Sequence, residues 1–438
     1  MWSASWGTGR TSPRSLPRRT DVVKASAPPA TAWTFRARLR RGSFGWRGAR
    51  LAISRLGEAL SEIRAVARHD PEVAGEGAVL LLEKLSPALS QVDSSSGALG
   101  NATYSAVQEL VPTIAGAPVS AAVRKKWLER LFEAIQEDDP PYIESLGDRW
   151  GDLCATPELA SSWADELLPT LRRAQQDRKN GTYAFFSGTG LCYSALFKAG
   201  RHDELLELLA MDPRPIWPYL VWGGHVLVAR GQVDEAIAYV RERDGTSGEE
   251  TVARFAEEAL LKAGRRAEAF DRFALLANQS NSNLSTFRTI AKKYPEIQPN
   301  KLLAFLVAST PREPGKWFAT AKTIKLFDQA TALAWASPCD PKTLTRAARD
   351  HLASRPAFAM QSALAALHWI SMGHGYELTG LDVLDAYRLA TDAARSTDQV
   401  SQAEEIIKQV LAVDRPIAQW MRQALGIEGR PAGVPRRA

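Results

Sequence analysis

The chain has 438 residues, of which 45% are hydrophobic and 24% charged, and its formal net charge is +6. No run of 18 apolar residues is present, which argues against a membrane-spanning helix. The three cysteines, Cys154, Cys192 and Cys339, lie far apart without a Cys-x-x-Cys pair, so we expect no disulfide framework or zinc finger, and a reducing, cytoplasmic environment.

The positive charge is concentrated at the N-terminus. Residues 1–50 hold ten arginines and one lysine against Asp21 alone, a net charge of +10 that leaves −4 for the rest of the chain. Residues 1–34 are rich in Ser, Pro, Thr and Arg and show no apolar periodicity. We therefore predict that residues 1–45 form a basic, disordered extension, with a mitochondrial transit peptide or a start site placed too early as alternatives.

Helical patterns begin near residue 46. Ile53, Leu56, Leu60 and Ile63 recur at helical spacing and predict one apolar helix face. Further helices are predicted to begin at Pro71, to cover residues 101–115 and 119–137, to end at Cys154, and to begin at Pro157. Long, paired helices of this kind predict a HEAT-like array over residues 46–180.

The loop over residues 93–100 resembles a segment of bacterial helical proteins of unknown function, some of which are joined to a SWIM zinc finger. The cysteine and histidine spacing of that finger is absent from this chain. The resemblance therefore implies a bacterial helical protein and carries over no zinc site.

Three later stretches, residues 196–205, 227–236 and 260–269, share one pattern. In each, an apolar helix ends at a glycine, and a second helix with Asp or Glu near its start follows; the glycines are Gly200, Gly231 and Gly264. Glycine readily takes the left-handed conformation that ends a helix. Spacings of 31 and 33 residues between these glycines predict a stack of helical hairpins, each burying an apolar face against its neighbours.

These stretches resemble the tetratricopeptide repeat and, over residues 197–201, the related pentatricopeptide repeat. The core positions are best matched in the middle stretch, by Leu220, Gly224, Leu227, Ala236 and Val240. Tyr193 and Glu257 depart from the pattern, at a position that is usually small. The resemblance covers about residues 187–277 and implies a tetratricopeptide-like (TPR-like) centre. Together with the HEAT-like N-terminal part over residues 46–180, it predicts an all-α, irregular α-solenoid of stacked helical hairpins.

Helical patterns continue to the C-terminal end. Helices are predicted over residues 284–293, 299–309, 314–324 and 326–336, from Asp340-Pro341 onwards, and over 381–396, 400–412 and 415–425. The helical-repeat array therefore spans residues 181–428, and residues 429–438 form a frayed tail. No segment has the alternation of a β-strand.

Catalytic and metal-binding motifs give weak signals. Asp148 and Asp152 are four residues apart and would share a helix face, but nothing in the sequence completes a site around them. Residues 187–190, Ser-Gly-Thr-Gly, lack the lysine of a phosphate-binding loop and fit a loop with a helix cap. We predict no catalytic residue, metal site or cofactor, and no enzymatic activity.

The repeat pattern favours a non-catalytic scaffold that binds a protein or peptide in a concave helical groove. The resemblance to tetratricopeptide arrays, in which the first helix of each unit lines the groove, implies a set of binding residues: Ser194, Phe197, Lys198, His225, Arg254, Glu258 and Lys262. The lysines among them suit an acidic peptide or a terminal carboxylate. The alternatives are nucleic-acid binding through residues 1–50 and an enzyme whose site is assembled from distant helices.

Overall fold

The computed structural model describes residues 32–180, 186–212, 215–245 and 247–427. Within these ranges the chain is all-α, with neighbouring helices packed against each other and no β-strand. None of the helices found there is both long enough and apolar enough to cross a membrane. Residues 1–31 of the predicted extension and the predicted tail, residues 429–438, lie outside the described residues.

The chain divides into two compact units, residues 1–201 and 202–438. The first unit contains α1 (Phe35–Arg38), α2 (Ala49–Ala67), α3 (Pro71–Leu89), α4 (Ala98–Gly116), α5 (Ala121–Gln136), α6 (Trp150–Cys154), α7 (Pro157–Lys179) and α8 (Thr189–Lys198), with a 3-10 helix over Glu144–Arg149.

The second unit contains α9 (His202–Ala210), α10 (Trp217–Ala229), α11 (Val233–Arg243), α12 (Glu249–Lys262), α13 (Arg266–Ala277), α14 (Asn283–Lys293), α15 (Pro299–Ala308), α16 (Phe318–Thr323), α17 (Phe327–Ala336), α18 (Pro341–His351), α19 (Pro356–Ser371), α20 (Gly380–Arg395), α21 (Val400–Ala412) and α22 (Pro416–Ala424). A 3-10 helix over Pro314–Trp317 precedes α16.

Packing begins earlier than the predicted boundary at residue 46. Trp33, Phe35, Leu39 and Phe44 are all buried. The Thr34 hydroxyl donates to a carboxylate oxygen of Glu62 at 2.7 Å, which holds this segment against α2. The described part of the basic segment is therefore packed, because its few apolar residues find a partner face that local periodicity does not reveal.

The division between the units also differs from the predicted boundary at residues 180/181. It falls between Arg201 and His202, just after the glycine of the first repeated stretch. The reason is that α8 packs against α6 and α7. Cys192 and Tyr193 on α8 are both buried, so this helix completes the core of the first unit.

Several helix starts follow from capping chemistry. Asp70, Thr156 and Asp340 each accept a hydrogen bond from the main-chain N–H three residues later, at 3.0, 3.3 and 2.9 Å. A proline follows each of them and begins the helix, where its missing N–H costs no hydrogen bond. The predicted starts at Pro71, Pro157 and Pro341 are confirmed.

The repeated glycines end their helices as the sequence predicts. Gly200, Gly231 and Gly264 have φ values of +73°, +78° and +74°. In each case the residue after the glycine donates its N–H to a carbonyl five residues earlier, at 2.9–3.0 Å, which is the Schellman helix ending. α10 then packs against α11, and α12 against α13. Two helical hairpins follow from these glycines.

A fourth turn of the same kind contains no glycine. Lys325 has a φ of +65°, and the next residue, Leu326, donates its N–H to Ala321 O at 2.9 Å. Ala330, five residues after Lys325, is fully buried like Ala236 and Ala269 after the glycines. The hairpin of α16 and α17 therefore repeats the earlier geometry with a lysine in the left-handed position.

Replacing Lys325 with glycine is expected to stabilise the second unit by about 0.5–1 kcal/mol, because glycine removes the steric cost of the left-handed conformation. Urea unfolding followed by circular dichroism measures the change. The control is Lys322→Gly inside α16, which we expect to destabilise the unit by about 1 kcal/mol. Destabilisation by both substitutions would contradict the assignment of Lys325 as a helix-ending residue.

Candidate functional site

The predicted binding residues on α8 have structural contacts in the first unit. Ser194 is only 3% exposed; its hydroxyl accepts from the N–H of Gly151 at 2.9 Å and donates to Asp148 O at 3.1 Å. Lys198 is half-buried, and a Cβ added to Gly151 would lie 2.6 Å from the Cβ of Lys198. Phe197 is half-buried as well. Ser194 thus holds α8 against α6, and the missing side chain of Gly151 lets Lys198 approach closely.

The other predicted residues lie on α10 and α12 of the second unit. Arg254, Glu258 and Lys262 follow one another every four residues along α12 and are all exposed. The residues between them on α12 are mostly buried, including Phe255, Ala256 and Leu260. Apart from Glu249 and Glu250 in its first turn, the exposed residues of α12 are therefore those predicted from the repeat register, and they form one exposed edge.

His225 of α10 lies beside this edge. Its side chain is half-buried, and its ring centroid lies 5.6 Å from Trp222 and 5.4 Å from Phe255. α10 and α12 approach closely because of Gly224, where an added Cβ would lie 2.5 Å from Cζ of Phe255. The structure thus brings His225 together with residues of the next hairpin.

The electrostatics of His225 link the two helices. Burial is the largest cause of a lowered pKa, the charge of Lys262 lowers it further, and the charge of Glu258 opposes both, giving a pKa of about 4 for His225. Lys262 Nζ lies 2.9 Å from a carboxylate oxygen of Glu258. At neutral pH the site therefore holds an uncharged imidazole next to an exposed ion pair.

Because the folded-state pKa of His225 lies below the ordinary value of 6.5, the unfolded chain binds a proton more readily than the folded chain. The contribution of His225 to the unfolding free energy of the second unit should be fully present above pH 6.5 and should be lost as the pH falls towards 4. We expect this loss to be on the order of 2 kcal/mol at this half-buried position. The measurement is urea unfolding from pH 4 to 7.5, with His225→Phe as the variant that cannot titrate. Parallel pH profiles for the two proteins would contradict the lowered pKa.

α14 adds two exposed cations that the sequence prediction missed. Arg288 and Lys292 are exposed and four residues apart, 30 residues after Glu258 and Lys262. Contact between α12 and α14 is direct, since Lys293 Nζ lies 2.6 Å from a carboxylate oxygen of Glu257. The signal available in the sequence was the continuing period of about 30 residues, although α14 lacks the glycine turn. We call His225, Arg254, Glu258, Lys262, Arg288 and Lys292 the first-helix surface.

The residues of the weaker motifs lie in the 3-10 helix, in α6 and at the start of α8. Asp148 lies in the 3-10 helix and Asp152 in α6, so they do not share one α-helix as predicted, and Arg149 Nε donates to Asp152 at 2.7 Å. Residues 187–190 form the loop and start of α8, as predicted, where the Thr189 hydroxyl donates to Phe186 O at 2.7 Å. Within the described residues, no group of three His, Cys, Asp or Glu side chains could hold a metal ion.

Comparison of the chain with protein-family models, with curated proteins and with solved structures gives no match. A functional assignment for the first-helix surface therefore depends on its own geometry and charge.

Proposed function

We propose that this protein is a non-catalytic scaffold that binds an acidic peptide segment of a partner protein on the first-helix surface. In this proposal the helices form an irregular α-solenoid, TPR-like around α10–α13 and HEAT-like in the N-terminal part. The packing of helices that are close in the chain, such as α10 with α11, α12 with α13 and α18 with α19, supports the solenoid. In two hairpins the first helix ends at a glycine in the left-handed conformation, and this supports the likeness to tetratricopeptide repeats.

The observation that carries the proposal is a set of exposed cations without acidic partners. Among the residues described, no carboxylate lies within ion-pair distance of Arg254, Arg288 or Lys292. Lys262 adds a fourth cation, whose partner Glu258 is itself largely exposed. Arginine binds carboxylates through two parallel hydrogen bonds, so this surface suits Asp, Glu or a terminal carboxylate.

The neutral imidazole and its aromatic neighbours add a second kind of contact. His225 is in ring contact with Trp222 and Phe255 and adds no positive charge at neutral pH. Trp217 is half-buried, with its ring centroid 6.4 Å from that of Phe255. A bound peptide would thus place acidic groups over α12 and α14 and an apolar side chain near α10, as peptides bound in grooves commonly do.

The test compares a variant of the first-helix surface with a matched control. Arg254→Glu, Arg288→Glu and Lys292→Glu together reverse three cations of this surface. Arg241→Glu, Lys301→Glu and Lys408→Glu together give the same charge change at exposed residues of α11, α15 and α21. Fluorescence anisotropy would measure binding of labelled Asp/Glu-rich 12-residue peptides, of Asn/Gln-rich counterparts and of single-stranded RNA.

We expect the acidic peptides to bind the wild-type chain, and the first-helix variant to lose at least about tenfold in affinity, or 1.4 kcal/mol. The control variant should stay within about twofold of wild type, since its cations lie elsewhere. Equal loss in both variants would show nonspecific attraction and overturn the proposal. Binding of RNA but not of acidic peptides would replace it with nucleic-acid binding.

A further inference from the structure

A second surface of the same unit holds a pocket of about 490 Å³ between α17, α19 and α21. None of its lining residues is Asp, Glu, Lys or Arg. The residues that matter for its chemistry are Trp335, Gln361, His368, Gln402, Ile406 and Gln409. We call it the α19 pocket. Its volume lies within the range of roughly 300–1,000 Å³ that is typical of ligand sites.

Three aromatic side chains at the pocket, those of Trp335, His368 and Trp369, pack against each other. The ring of His368 lies 5.4 Å from Trp335 and 4.7 Å from Trp369, measured between centroids. The indole N–H of Trp369 donates to Ala334 O at 2.7 Å, and that of Trp335 donates to Gln361 Oε1 at 3.2 Å. Both tryptophans are therefore held in place by hydrogen bonds between neighbouring helices.

Polar groups on the wall of the pocket remain available. Across the described ranges, no protein group forms a hydrogen bond with the carboxamide of Gln402 or with the ring nitrogens of His368. The Gln361 carbonyl is occupied by Trp335, which leaves its amide nitrogen as a donor. Burial, with a smaller contribution from His374, lowers the pKa of His368, so its imidazole is neutral at pH 7 and offers both a donor and an acceptor.

We propose that the α19 pocket binds an extended peptide segment with uncharged side chains. A peptide bond presents one donor and one acceptor, which a carboxamide or a neutral imidazole can match in pairs. Ile406 and Val410 on α21 provide apolar contact for a side chain next to Trp335. No lining residue is an ion-pair partner for a charged side chain, and the charged groups that contact the lining, Arg415 at Met372 and Glu405 at Gln409, are of opposite sign. A charged side chain would therefore gain less here than an uncharged one. The inference rests on the proposed function for the class of partner, but it uses no residue of the first-helix surface.

Methionine NMR offers a local measurement, because the chain contains only five methionines. Met372 lines the α19 pocket, whereas Met211 lies at the end of α9 and serves as an internal control. The probes are two acetylated and amidated tetrapeptides, Gly-Leu-Ala-Val and Gly-Glu-Ala-Glu. The full chain carries ¹³C-methyl methionine, and each signal is assigned by a single Met→Leu substitution.

We expect the neutral peptide to shift the Met372 signal in a saturable manner and to leave Met211 unchanged. Gln402→Ala and His368→Leu should each weaken this binding at least about fivefold, whereas Gln329→Ala, at an exposed residue of α17 outside the pocket, should not. Circular dichroism checks that each variant is folded. Absence of a Met372 shift at millimolar peptide, or an equal shift with the Glu-containing peptide, would overturn the proposal.

One experiment distinguishes failure of the α19 pocket proposal from failure of the proposal for the first-helix surface. The triple variant Arg254→Glu, Arg288→Glu, Lys292→Glu should leave the Met372 titration unchanged, since those residues do not line the α19 pocket. Loss of the Met372 shift in that variant would show that the peptide does not bind at α19, whereas unchanged Met372 binding beside lost acidic-peptide binding supports two distinct sites.

Discussion

Replacing Glu257 with alanine is expected to destabilise the second unit by about 2–4 kcal/mol. The Glu257 side chain is only 1% exposed and accepts hydrogen bonds from Asn278 Nδ2 at 2.8 Å, Lys293 Nζ at 2.6 Å and Tyr294 OH at 2.7 Å. These partners follow α13 or belong to the end of α14, so one carboxylate joins three successive helices. Alanine would leave the buried Tyr294 hydroxyl without its acceptor, remove the ion pair of Lys293, and leave Asn278 with only the Ala274 carbonyl.

The measurement is urea unfolding of the full chain, combined with hydrogen exchange of α12–α14 to localise the effect, because two units need not unfold together. The control is the neighbouring Glu258→Ala, which removes the same group from the exposed edge and should change stability by less than about 1 kcal/mol. Glu257→Gln keeps the shape and should lie between them. Similar unfolding free energies for the 257 and 258 alanine variants would contradict the role of Glu257.

Replacing Arg124 with alanine is expected to cost the first unit about 3 kcal/mol. Arg124 is 5% exposed, and its guanidinium donates to the carbonyls of Ile114, Ala115 and Ala117 at the end of α4. Carbonyls at a helix end have no partner within their own helix. The guanidinium of Arg124 therefore supplies hydrogen-bond donors to the carbonyls at the end of α4 and holds α5 against α4.

Lysine should restore less than half of this stability, because a single ammonium cannot span three carbonyls as a planar guanidinium does. Burial lowers the pKa of Arg124, but the group stays charged at neutral pH. The control is Lys125→Ala, at the adjacent exposed residue, with an expected change below about 0.5 kcal/mol. Hydrogen exchange of residues 110–117 reports the loss directly, and unchanged protection there in Arg124→Ala would refute the capping role.

The two departures from the repeat pattern share one explanation. Tyr193 and Glu257 occupy a position that is usually small, yet both are buried. Gln175 Nε2 on α7 donates to the Tyr193 hydroxyl at 3.2 Å, and Glu257 receives its bonds from α14 and the residue after α13. Each departure thus replaces close helix packing with a buried hydrogen bond to another helix. A pattern within one repeat cannot show this, because the partner lies in a different element.

The exposed edge of α12 was predictable from register alone. Arg254, Glu258 and Lys262 lie four residues apart between buried positions, as helical periodicity requires. Ser194 was predicted by the same register, but it is buried under the contact with Gly151. α8 and α12 share the same register, but they pack against different helices, which bury Ser194 and leave the edge of α12 exposed. Arg288 and Lys292 were missed because the hairpin of α14 and α15 lacks the glycine turn that marks the earlier ones.

Local rules fixed much of this protein from its sequence: the left-handed ending at Gly231 or Gly264, the cap at Asp340 and the start at Pro341 depend on atoms within a few residues of each other. Only the tertiary structure decided that α8 belongs to the first unit, that Glu257 joins three helices and that His225 is uncharged. Those outcomes depend on which helix faces meet, and the burial and charge produced by such contacts have no fixed spacing along the chain.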